Sequence, residues 1–162
     1  IDGASARVYL ENLTVQEIEI DTASGNVELQ GCETQKLDID SASGDCKTTD
    51  CVLGEFSMDS ASGSAKLHGS VRELNMDTAS GNLTVETDKT PEKVDVDTVS
   101  GDTLLTLPAD ASFTLKQSGV SGDVKLEGFA ATVSGKTYIC GDGSAEFEFE
   151  SVSGDVTVRA AQ

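Results

Sequence analysis

The sequence predicts an all-β fold, a single-domain parallel β-solenoid of about eight coils, and three observations predict it. A ten-residue phrase, "IDTASGNVEL" at Ile20–Leu29, returns as "IDSASGDCKT", "MDSASGSAKL", "MDTASGNLTV" and "VDTVSGDTLL". Its copies recur with a period of about 19 residues, which is the mark of a repeat architecture. Within each copy apolar and polar residues alternate, as in "EIEID", "KVDVD" and "FEFE". A period of two is strand patterning rather than helix.

Ser-Gly aligns the copies. It stands at Ser24-Gly25, Ser43-Gly44, Ser62-Gly63, Ser80-Gly81, Ser100-Gly101, Ser121-Gly122 and Ser153-Gly154, mostly 18 to 21 residues apart. A degenerate copy, Ser5-Ala6 in "IDGASARVYL", precedes the first, so one domain spans 1–162. Reading down the columns, the phrase opens on Ile1, Ile20, Ile39, Met58, Met76, Val96 and Phe149. Two residues earlier stand Ile18, Leu37, Phe56, Leu74, Val94 and Phe147. Beyond the glycine, Val8, Val27, Cys46, Ala65, Leu83, Thr103, Val124 and Val156 form one column. Leu10, Leu29, Thr48, Leu67, Val85, Leu105, Leu126 and Val158 form another. The small residue beside glycine marks a tight corner, where a large side chain has no room. One coil cannot bury its apolar side alone, whereas stacked coils share an interior. At a rise of about 4.8 Å per coil the rod is on the order of 40 Å long. A β-sandwich of short strands is the rival architecture, but it needs no such regular period.

The departures fall late. "TPEKVD" around Pro91 and "LPADASF" around Pro108 lengthen two coils. Residues 129–146, "FAATVSGKTYICGDGSAE", read as an irregular insertion, a loop or an extra coil, whose "GDG" is a hairpin-type turn signal. A solenoid end needs a cap, and neither the first copy nor the last, "FEFESVSGDVTVRAAQ", offers a capping helix. Ile1 begins mid-repeat, which reads as a mature product or an excised domain, its anchor lying outside.

Composition agrees. With 37% apolar and 4% aromatic residues and no Trp, a compact globule would have a thin core, and repeat packing fits better. Net charge is −18, from 29 acids against 11 bases. Such a surface repels nucleic acid and anionic lipid and favours cations or basic partners. No run approaches a membrane span.

The recurrent D-[ST]-[AV]-S-G-[DN] corner, the "GDG" insertion and the closing "VSGDVTV" resemble the bacterial adhesin family known as the DUF4097 domain, along essentially the whole chain. The resemblance implies a right-handed β-solenoid in envelope or membrane-tethered proteins. It implies an extracytoplasmic location, at the cell envelope or surface, with tethering by a segment outside this chain. It supplies no catalytic residues, and the adhesin name is itself an inference.

Candidate sites follow from the columns. Asp21, Asp40, Asp59, Asp77 and Asp97, with Asp2 before and Glu150 after, stack on one outer face. Glu19, Asp38, Asp95 and Glu148 lie two residues upstream, interrupted by Ser57 and Asn75. Carboxylates in rows supply the hard oxygens that Ca²⁺ takes, so these five aspartates are the metal candidates. The alternatives are a solvated face, or Asp bonding the corner backbone. The calcium nonapeptide Gly-Gly-x-Gly-x-Asp is absent. A further column, Asn26, Asp45, Asn82, Asp102, Asp123 and Asp155, reads as turn structure. Cys32 and Cys51 are one period apart and so stack in adjacent coils, either as buried thiols or as a Cys32–Cys51 disulfide. Cys46 falls in an apolar column, and Cys140 lies in the insertion without an evident partner. The only histidine is His68, expected at the surface. No repeated serine has a base beside it, so none reads as a nucleophile.

Among functions, the reading that fits best is a non-enzymatic envelope module. It would be an adhesin or a surface-display or sensing rod, with no cofactor, meeting a protein or glycan of the cell surface. A self-assembling scaffold, stacking end to end through unpaired strand edges, is the second reading. A polysaccharide-active enzyme needs a non-repeating cluster with aromatic platforms, and ice binding needs a flat Thr/Ser face without interleaved acids. The sequence offers neither.

Overall fold

Each copy of the phrase folds as a strand into the Ser-Gly corner and a strand out of it. The structure, a computed structural model, describes residues 1–5 and 7–162. Ala6, in the degenerate first corner, lies outside the described residues. In chain order the strands are β1 (Asp2–Gly3), β2 (Val8–Glu11), β3 (Thr14–Ser24), β4 (Val27–Gln30), β5 (Glu33–Ser43), β6 (Cys46–Ser62), β7 (Ala65–Ser80) and β8 (Leu83–Glu86). They continue as β9 (Lys93–Ser100), β10 (Thr103–Leu107), β11 (Phe113–Ser121), β12 (Val124–Glu127), β13 (Ala131–Ser134), β14 (Thr137–Cys140), β15 (Ala145–Ser153) and β16 (Val156–Ala160). Among the described residues no helix is long and apolar enough to cross a membrane.

Strands entering the corner pair in parallel, β1-β3-β5-β6-β7-β9. Those leaving it pair as β2-β4-β6-β7-β8-β10, also in parallel. The apolar columns therefore meet in register. Ile18, Leu37, Phe56, Leu74, Val94, Phe147 and Leu115 form one buried stack. Each such side chain contributes roughly 1.5–3 kcal/mol through burial.

The corner glycine is required by close approach. A Cβ on Gly44, Gly63, Gly81 or Gly101 would overlap the carbonyl oxygen of the corner glycine in the coil before it. Stacked backbones at this point leave no space for a side chain.

The expectation of about eight coils in chain order needs correction. About five turns wind in sequence, from Asp2 through Asp21, Asp40, Asp59 and Asp77 to Asp97. The next phrase does not sit on the last of these. β15 pairs β9 on one side and β11 on the other, and β16 pairs β10 and β12. The C-terminal copy is thus inserted between two earlier ones. The Pro108 segment carries the chain past the gap, turning on the Ala111 N–H donating to the Pro108 carbonyl at 3.0 Å.

The 129–146 stretch is neither a loop nor an extra coil. β13 and β14 form an antiparallel hairpin, and β14 pairs antiparallel with β11. The hairpin's turn falls at Gly135-Lys136. The "GDG" is a tight turn too, its Gly143 N–H donating to the Cys140 carbonyl at 3.2 Å, but it joins β14 to β15 rather than closing a hairpin. Phe129 meets Phe113 edge-on at 5.3 Å, and Ala131 and Tyr138 pack on the core. This hairpin is the cap that the sequence did not reveal, and it covers the β11 edge rather than the last copy.

Candidate functional site

Strand alternation decides which way each phrase residue points. In β3, Ile18, Ile20 and Thr22 are buried, and Glu19 and Ala23 are exposed between them. Asp21 shares their outward parity, and register does the rest. Asp2, Asp21, Asp40, Asp59, Asp77, Asp97 and Glu150 stand opposite one another in consecutive coils. The predicted acid column is therefore continuous, and Glu150 continues it because the C-terminal copy is inserted next to β9. Ser118 ends it.

Two open grooves follow this ladder. One, of about 720 Å³, is lined by Asp2, Asp21, Asp40 and Asp59 with Ala4, Ala23, Ala42 and Ala61. The other, of about 710 Å³, is lined by Asp59, Asp77, Asp97 and Glu150 with Ala79, Val99, Val120 and Val152. The small column beside the acids thus changes from alanine to valine along the rod, and Val120 is 85% exposed.

Like charges at this spacing perturb one another. Partial burial, then the neighbouring carboxylates Asp59, Asp38 and Asp21, push the Asp40 carboxyl above the usual aspartate range. Asp59 is raised by burial and by Asp77. Asp97 is raised by burial, then by Asp95 and Glu150.

The upstream acid column behaves differently, because lysines reach it: Lys36 and Lys93 from two residues further upstream, and Lys116 from within the column opposite Glu148. Lys36 bridges Asp38 at 2.8 Å and Glu17 at 3.6 Å. Lys93 lies 3.4 Å from Asp95, and Lys116 lies 3.1 Å from Glu148. Among the described residues no ion pair reaches Asp21, Asp40, Asp59, Asp77, Asp97 or Glu150. Three of the four upstream acids, Asp38, Asp95 and Glu148, have a lysine partner, and the other line faces solvent uncompensated.

A ladder is not a cage. With one carboxylate per coil, a cation beside it meets oxygens from two neighbours, short of the six to eight that Ca²⁺ takes. Among the described residues no group of three or more His, Cys, Asp or Glu side chains is arranged to hold a metal ion.

The Asx column after glycine has a clear structural task. Asp45 N–H donates to Asn26 Oδ1 at 3.2 Å, Ser64 N–H to Asp45 Oδ1 at 2.9 Å, and Asn82 N–H to Ser64 Oγ at 3.1 Å. The chain of bonds then runs from Asp102 N–H to Asn82 Oδ1, Asp155 N–H to Asp102 Oδ1 and Asp123 N–H to Asp155 Oδ1. It follows the spatial order of coils, not the chain order.

Cys32 and Cys51 are adjacent, as predicted from their spacing. Both are buried thiols, and the Cys32 N–H donates to Cys51 Sγ at 3.4 Å. Cys46 is also buried, and burial pushes its thiol up to about 12. Cys140 is buried at the end of β14 within the cap hairpin, opposite Phe113 and Ala131. His68 is exposed, its Nδ1 3.1 Å from Asp50.

Sequence reading missed one column. Thr22, Ser41, Ser60, Thr78, Thr98 and Ser151 carry buried hydroxyls with no hydrogen-bond partner among the described residues. Parity was the available signal, since each lies two residues after an inward apolar position.

No curated protein matches the chain. Among solved structures, a "putative cell adhesion protein" from Clostridium sporogenes aligns with a TM-score of 0.51 and 12% identity, over 98% of this chain and 93% of that one. At such identity the likeness concerns the fold. The family description Toastrack DUF4097 fits residues 1–159, the stretch that holds every phrase copy, the inserted C-terminal coil and the acid ladder, and the chain belongs to that family.

Proposed function

We propose that this domain is a non-enzymatic module of the bacterial cell envelope, facing outward from the cytoplasm. It is a rigid rod that presents one uncompensated line of carboxylates to a basic protein or a cationic glycan. The observation that carries this reading is the contrast between the two acid columns. Lysines pair with Asp38, Asp95 and Glu148 of the upstream one, while among the described residues the column from Asp2 to Glu150 runs without an ion pair along open grooves. Because the feature repeats once per coil, it suits a partner that is itself repetitive and extended. A small substrate held at one point gains nothing from the repetition. A rim of charge of this kind governs association rate and partner choice more than intrinsic affinity. The shared fold with a protein described as concerned with cell adhesion is consistent with the proposal.

Calorimetry with a deacetylated amino-glycan oligomer and with a polylysine peptide tests it. Binding is expected to weaken steeply with salt. The triple substitution Asp40→Asn, Asp59→Asn and Asp77→Asn is expected to weaken it by about tenfold or more. No binding to either probe, or binding indifferent to the triple substitution, would sink the proposal. A titration with CaCl₂ alone reads the metal alternative, in which heat and a raised melting temperature appear without any polycation.

A further inference from the structure

The C-terminal coil occupies its place without being next in line. Among the described residues β9 does not pair with β11, nor β10 with β12, and β15 and β16 supply the ladders between them. Ala145–Ala160 is therefore a strand donor seated in a slot between two coils. It contributes Phe147, Phe149, Val156 and Val158 to the core, and Phe147 stacks on Phe113 at 4.9 Å. Its backbone bonds fall on both flanks in the register common to all copies, with Ser153 opposite both Ser100 and Ser121.

Only a short hook ties the donor to its own slot. β14 and β15 lie on opposite sides of β11, so residues 141–144 must cross the start of β11 within four positions. Gly141 and Gly143 take positive φ of 62° and 71° to do so. A Cβ on Gly141 would overlap Ser112 Oγ. The hook's own bonds are local: Gly143 N–H donates to the Cys140 carbonyl at 3.2 Å, Thr114 Oγ1 to the Gly143 carbonyl at 3.0 Å, Ser144 N–H to Asp142 Oδ1 at 3.0 Å and Ser144 Oγ to the Ser112 carbonyl at 3.4 Å.

We infer that Ala145–Ala160 is an exchangeable coil, able to fill the slot of a second copy of this chain and form a reciprocal dimer. Every ladder and core contact the donor makes at home is available in the slot of an identical copy. Exchange thus forfeits the hook alone, and a short constrained hinge favours that outcome. Opening the hook into an extended linker relieves the need for left-handed backbone at Gly141 and Gly143.

The full chain tests this. A tagged and an untagged copy, unfolded together and refolded at high concentration, are expected to yield mixed dimers by light scattering and tag capture. The same copies mixed after folding are expected to yield none on that timescale, since a seated coil must first leave its slot. Gly141→Ala is expected to raise the dimer fraction about tenfold or more, because a side chain strains the closed hook. Val133→Lys, on the free edge of the cap hairpin, is expected to leave the dimer intact. Its loss would show edge-to-edge pairing and overturn the exchange. Monomer alone after co-refolding also overturns it, and that result decides the matter even where Gly141→Ala does not fold.

Discussion

Thr78 illustrates how one residue of the phrase is settled by its neighbours. In the sequence it lies between Asp77 and Ala79, both outward, and looks like part of a polar corner. In the coil it turns inward below Met76, where its hydroxyl is buried without a partner. A buried hydroxyl left unpaired costs about 1–3 kcal/mol. Thr78→Val keeps the shape and removes that hydroxyl, so we expect it to stabilise the fold by about 1 kcal/mol. Thermal melting reads this, and a lowered melting temperature would mean that the hydroxyl has a partner it needs. The repeated phrase keeps Ser or Thr here because the position abuts the glycine corner: Ser60 Oγ would lie 2.9 Å from a Cβ on Gly63.

Elements are held to one another by side chains as well as by strand ladders. The Asx column bonds the backbone of each coil to the next at the place where the strands break. Asp102 has two such bonds, its N–H to Asn82 and its carboxylate from Asp155 N–H at 3.0 Å. Asp102→Ala removes the acceptor facing the inserted coil and leaves that N–H unpaired. A loss of about 1 kcal/mol, or roughly 3 °C in melting temperature, is expected. Asp102→Asn retains an oxygen at that point and is expected to lose much less. Equal losses in the two variants would assign the effect to charge rather than to the bond.

Charge is a property of the whole rod. Asp40, Asp59 and Asp97 have folded-state pKa values raised above the ordinary carboxylate range. In that window the folded state binds more protons than the unfolded chain, so stability falls as pH rises. The contribution of these groups is fully present below the ordinary range and is lost as pH climbs through their raised values. Asp142 has the opposite sign, lowered by its hydrogen bonds with Ser144, and its contribution fades only at more acid pH. The melting temperature is therefore expected to be higher near the ordinary carboxylate range, about pH 4, than at neutrality. Added salt is expected to narrow the difference by screening the ladder. Asp59→Asn is expected to raise stability at neutral pH by about 0.5 kcal/mol, the scale of one exposed charge pair. A melting temperature that drops steadily from neutral pH to about pH 4 would contradict this account.

The sequence by itself determined the repeating unit. Period-two alternation set which side chains face inward, the glycine set the corner, and recurrence of the same phrase set the register that lines up Asp21 through Asp97. The small residue before Ser-Gly is exposed, and valine takes its place at Val99, Val120 and Val152. Those features are local, and each is written into every copy, so reading one coil reads its neighbours. Tertiary structure alone decided the order of the last coils and the nature of the cap. Because all copies carry the same pairing code, the code cannot say which copy sits on which. "VSGDVTV" would fit after "VSGDVKL" or before it. The choice falls to the Pro108 segment that skips one rung, the hook at Gly141–Ser144 that crosses β11, and the hairpin that closes over Phe113. These are contacts between distant parts of the chain, where no periodicity exists to be read.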